Sequence, residues 1–174
     1  METQPPPVAA LTQIDMIQRK LILEGKIKAG VNWFFWIAGL SLINTVIFLF
    51  GSTLTFVVGL GVTQFVDGFV SAVAEDIDQG GMIVRLIGLG INVLIAGIFA
   101  LFGILGRKRY LWTIILGMVL YAADGVILLF FKDFLGAGFH AWALFGIWGG
   151  LKAIRELEKL QKSVTASTTG LISR

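Results

Sequence analysis

The stretch LTFVVGLGVTQFVDGFVSAVA, residues 54–74, decides how this chain is arranged. It is apolar and long enough to cross a bilayer, where about 20 helical residues cover roughly 30 Å of hydrocarbon. It also carries Gln64 and Asp67. One aspartate at a helix centre costs about 2.5–3.5 kcal/mol on insertion scales, a cost that spanning helices do bear. Thr63, Asp67, Ser71 and Glu75 recur every four residues, with Phe56, Val58, Val62, Phe65, Phe69 and Val73 over much of the remaining surface. One polar stripe on a broad apolar face suits a helix at an interface or in a re-entrant position.

Four further apolar blocks flank it, at about 31–50, 86–106, 110–131 and 134–151. Trp33 and Trp36 open the first, and Tyr110 and Trp112 the third, as interfacial aromatic anchors do. The basic residues choose between four and five spans. If 54–74 stays on the outer side and the N-terminus is cytoplasmic, 12 of the 14 Lys and Arg residues lie inside, leaving only Arg85 and Lys132 outside. If 54–74 crosses, the split becomes 6 inside and 8 outside. Lys and Arg concentrate in cytoplasmic loops. We therefore read an all-α membrane protein: a four-helix transmembrane bundle over 31–151, with an extra extracytoplasmic amphipathic or re-entrant helix at 54–74 and both termini cytoplasmic.

The ends follow the same logic. Residues 1–7 are polar and Pro-rich and read as a disordered tail without the apolar core of a secretory signal. Residues 8–28 place Leu11, Ile14, Ile17 and Leu21 at helical spacing, with Asp15, Gln18, Arg19 and Lys26 mostly off that stripe. This predicts an amphipathic helix, either lying on the membrane surface or leading, solvated, into the first span. The block at 134–151 can run on as a helix into 152–162, and residues 152–174 form a helical tail, with Ile154, Leu157 and Leu160 available to dock on the helix at 8–28.

Composition supports this class. Among 174 residues, 56% are hydrophobic and 14% charged, against roughly 45–50% and 25% in soluble domains. The absence of cysteine excludes disulfide, zinc-ribbon and thiol chemistry, and one histidine leaves no His/Cys metal cluster. No Walker loop, dinucleotide loop, nucleophile elbow or zincin motif is present, and nothing reads as a nucleic-acid surface. No cofactor, metal or catalytic residue is predicted.

Residues 33–44, WFFWIAGLSLIN, with 59–67, GLGVTQFVD, resemble small uncharacterised bacterial membrane proteins. The resemblance implies a bacterial inner-membrane location and carries no activity or ligand.

Chemistry, if any, belongs to the intramembrane polar side chains, which are functional candidates by default. At 1.5 Å per residue, Asn44, Asp124 and His140 fall about 10 Å below the outer ends of their spans, with Arg85 at the outer mouth and Asn92 deeper. Gln64 and Asp67 would cover this layer. The candidate polar pocket is Asn44, Gln64, Asp67, Arg85, Asp124 and His140, with Asp124 paired to Arg85. Ala96 and Ala100, and Gly146 and Gly150, offer small-residue faces for helix packing within the chain or in a homo-oligomer. The resulting expectation is a non-enzymatic accessory or interaction subunit. The alternative is a small transporter or a solute- or proton-binding protein.

Overall fold

The computed structural model describes residues 8–49, 59–77 and 81–172, with side chains described between residues 13 and 165. The expected tail at 1–7, residues 54–58 of the expected short helix, Asp78 and Arg174 lie outside the described residues.

Five helices follow one another, with no strand among the described residues: α1 (Val8–Leu49), α2 (Gly61–Glu75), α3 (Gly81–Arg107), α4 (Leu111–Phe130) and α5 (Phe134–Ile172). Four of them, α1, α3, α4 and α5, are long and apolar enough to cross a membrane. At 15 residues α2 is about 22 Å long, short of the hydrocarbon thickness. Large apolar side chains cover the outside, Leu94, Val119, Phe130 and Phe145 among them. That distribution matches lipid as the surrounding solvent.

In the packing, α1 lies against α5 and α3, α4 lies against α5 and α3, and α2 lies chiefly against α3. Phe34 and Ile37 of α1, Phe99 and Phe102 of α3, Ile114 and Tyr121 of α4, and Ile147 of α5 form the shared core. Glycine sets the closest approach. A β-carbon on Gly30 would lie 2.6 Å from the Gly150 Cα, and one on Gly146 would strike Trp33. The small residues Gly146 and Gly150 therefore face α1 of the same chain, and Ala96 is buried in the shared core.

The two connections between long helices are tight and alike. Tyr110 N–H donates to Leu105 O and Asp133 N–H to Leu128 O, each five residues back, and Arg109 and Lys132 take positive φ values of 66° and 62°. Both are left-handed helix-ending turns that satisfy otherwise orphaned carbonyls.

α1 and α5 run on well past bilayer length, about 63 and 58 Å. There is no break between the segment at 8–28 and the first apolar block. Leu23 and Ile27 of α1 pack with Leu151, Ile154 and Leu157 of α5, and Arg19 pairs with Glu156 at 2.6 Å. The apolar stripe read from the sequence points the other way: Ile14, Ile17 and Leu21 are exposed. Leu23 and Ile27 compete for the α5 face and win it because they continue the buried row that ends at Val31 and Phe34.

Candidate functional site

At the end opposite this paired extension, the polar residues form two buried clusters, both built around α2. The first begins with the N-terminus of α2. A helix leaves its first N–H groups without intrahelical partners, and Leu60, at the N-cap, has no side-chain oxygen to offer. Its own N–H donates to Ser41 Oγ of α1 at 2.7 Å. Gly61 N–H donates to Asp124 Oδ2 at 2.7 Å and Val62 N–H to Asp124 Oδ1 at 2.8 Å. One carboxylate from α4 thus caps a helix from another part of the chain, where the helix dipole also favours negative charge.

Asp124 is held from its other side by α5. His140 Nε2 lies 2.8 Å from Asp124 Oδ2, and His140 Nδ1 lies 2.8 Å from Gly136 O. A carbonyl only accepts, so Nδ1 carries a proton. The bond between Nε2 and the carboxylate then needs one more proton. The pair is imidazolium with carboxylate or imidazole with carboxylic acid, and in either form it is neutral as a unit. Tyr121 stacks on the imidazole with ring centroids 4.1 Å apart.

The second cluster lies one turn further along α2. Asn92 Nδ2 of α3 donates to Asp67 Oδ1 at 2.6 Å, to Thr45 Oγ1 at 2.9 Å and to Thr63 O at 3.3 Å. Thr45 Oγ1 donates to Asp67 Oδ2 at 3.0 Å. Asn92 Oδ1 is buried with no hydrogen-bond partner.

The sequence-derived candidates separate as follows. Asp124 and His140 meet directly, and Asp67 lies inside. Asn44 is buried beside Gly59, where its amide leaves no room for a β-carbon. Gln64 is half-buried and belongs to neither cluster. The expected Arg85–Asp124 pair is not formed: Asp124 is satisfied by two backbone N–H groups and His140, and Arg85 stands half-buried elsewhere on α3. Asn92, read as lying deeper than the pocket, is joined directly to Asp67. The stripe of Thr63 and Asp67 turns inward, while Phe65 and Phe69 on the opposite face are exposed. Exposed aromatic rings outside and polar partners inside reverse the arrangement of a helix with its polar face to water.

Ser41 and Thr45 were missed as site residues. Their spacing of four within an otherwise apolar helix was the available signal, since it sets both hydroxyls on one face. No family model, curated protein or solved structure matches this chain, so its reading rests on its own geometry.

Proposed function

We propose that this chain is a non-enzymatic accessory subunit of the bacterial inner membrane that engages a protein partner through the paired extension of α1 and α5. The observation that carries this reading is the exposed row of Ile14, Ile17, Leu21 and Ile22. These residues precede Trp33 by 11–19 positions, which places them roughly 16–28 Å beyond the aromatic end of the span. Lipid tails do not reach that far, and contiguous apolar surface in water marks an interaction site. Arg19, Lys20 and Lys26 border the row and give it basic edges.

In the proposed topology the four long helices cross as a bundle, this basic end is cytoplasmic, and α2 is a half-helix re-entering from the far side. Three observations support it. The basic residues of α1, the α3–α4 turn and α5 gather at one end, where Arg109 pairs with Glu24 and Arg107 bonds Asn32. The N-terminus of α2 meets Ser41 and Asp124, which lie well inside their helices. Its other end meets the start of α3 at Gly81.

The test is purification of the full chain in mild detergent, followed by native mass spectrometry. Ile17→Glu with Leu21→Glu should remove a stoichiometric partner without lowering the thermal midpoint. Retention of that partner overturns the reading. For topology, a thiol at Glu75→Cys should label from outside the cell and one at Lys108→Cys only from inside; external labelling at Lys108→Cys overturns it. The one-proton Asp124–His140 pair favours a second reading, a proton- or solute-binding protein. Loss of proton or solute flux from reconstituted vesicles on Asp124→Asn would select that reading.

A further inference from the structure

The cluster around Asn92 combines two features that a purely structural hydrogen-bond network does not explain. Asp67 is 6% exposed, and no basic side chain lies within ion-pair distance among the described residues. Its hydrogen-bond partners Thr45 and Asn92 are neutral donors. A buried carboxylate without a counter-charge is costly. Asn92, at 0% exposure, spends its amide nitrogen on three oxygens and leaves its amide oxygen buried and unpartnered. Such an orphaned acceptor in a native interior calls for an explanation, an ion among them.

The three oxygens come from three helices. Thr45 Oγ1 belongs to α1, Thr63 O to the first turn of α2 and Asp67 Oδ1 to its middle, and all lie 2.6–3.3 Å from the nitrogen of Asn92 on α3. A hydroxyl, a main-chain carbonyl and a carboxylate around one small centre make a set of hard oxygen donors. Such donors, including carbonyls near the ends of broken helices, coordinate Na+ at the depth of a bilayer. The NH2 group of Asn92 stands where the cation would stand. When that side chain draws back and turns its oxygen inward, Asn92 Oδ1 becomes a further ligand.

We propose that Thr45, Thr63 O, Asp67 and Asn92 form a binding site for a small monovalent cation, Na+ in preference to K+. The single carboxylate fixes the charge at one, because a divalent ion would leave excess positive charge in an apolar interior. A charged carboxylate among few ligands is a strong-field donor, which favours the smaller ion, and the oxygens now 2.6–3.3 Å from the amide nitrogen would close in on it. Binding would join α1, α2 and α3 and answer both the missing counter-charge and the orphaned oxygen. Protonation of Asp67 answers only the first.

The experiment is thermal unfolding of the full chain in detergent, titrated with NaCl, KCl or N-methylglucamine chloride at constant ionic strength. The site predicts a saturable rise in midpoint with Na+, roughly 5–10 °C at a hundredfold excess over Kd, and a smaller rise with K+. Asp67→Asn, which mimics the protonated acid, and Thr45→Val should abolish the rise. Thr45→Ser and Asp133→Asn should retain it. If Asp67→Asn fails to fold, the two Thr45 variants carry the comparison. Equal midpoints in the three salts, or a Na+ response that survives Thr45→Val, overturn the proposal. These outcomes are independent of the partner test, which reads the opposite end of the molecule.

Discussion

Two helix N-termini in this protein are held by aspartates, and the two aspartates do different work. Asp133 sits in the turn directly before α5. Its Oδ1 accepts the Gly136 N–H at 2.8 Å and its carbonyl accepts the Ala137 N–H at 3.1 Å. Asp124 caps α2 from 62 and 63 residues away, and the same carboxylate binds His140. A local cap closes one turn of the helix that follows it. A remote cap is also a tertiary contact, tying α2 to α4 and, through His140, to α5. The first should contribute a helix-end increment, the second the docking of a helix.

Removing the remote cap should therefore have the largest effect. Asp124→Ala leaves the Gly61 and Val62 N–H groups and the buried His140 Nε2 without their partner. Breaking a buried pair in this way costs about 3–5 kcal/mol. The expected result is a large fall in the unfolding midpoint in detergent, with faster amide exchange in α2 than in α5. A loss no greater than that of a local cap would break the comparison. Asp124→Asn should stay costly too, because an amide supplies one acceptor where two N–H groups need one each.

His140→Phe is the next step down. It keeps a flat ring beside Tyr121 and leaves the Asp124 bonds to Gly61 and Val62 in place. The loss is one buried charge-assisted bond, about 1.5–3 kcal/mol. Thermal unfolding of wild type and variant in one detergent measures it, and a loss as large as that of Asp124→Ala would mean that the remote cap depends on the imidazole.

The difference between the caps also explains what the sequence disclosed. The long apolar runs locate α3 and α4 to within a few residues, because a bilayer demands continuous apolar length. The extension of α5 was legible, since Ile154, Leu157 and Leu160 carry an apolar stripe past Leu151, whereas α1 was read as an amphipathic segment and a separate span. Gly25 and Gly30 stand between Ile17 and the first apolar block, and only packing shows that the helix runs through them and buries Leu23 and Ile27 against α5. At the site, Asp124 and His140 were recognisable as buried titratable groups, but their pairing was not. Opposite charge pointed to Arg85, whereas the partners that Asp124 uses are two backbone N–H groups and an imidazole. Backbone donors leave no trace in residue identity. For the same reason Leu60, with no capping side chain, gave no sign that α2 is capped at all.

The local cap supplies the smallest effects and the sharpest control. Asp133→Ala removes one N-cap bond at a half-buried turn and should cost about 1 kcal/mol. Asp133→Asn should cost no more than a few tenths, because asparagine caps as well as aspartate when one oxygen is all that the helix requires. What remains is the charge at the start of the α5 dipole, partly screened at this position. The same substitution at Asp124 is expected to be several times worse, so the ratio of the two Asp→Asn effects, measured in one detergent at one pH, separates capping from docking. A ratio near one would mean that Asp124 does no more for α2 than a cap does, and that α2 is held in place by its contacts with α3 instead.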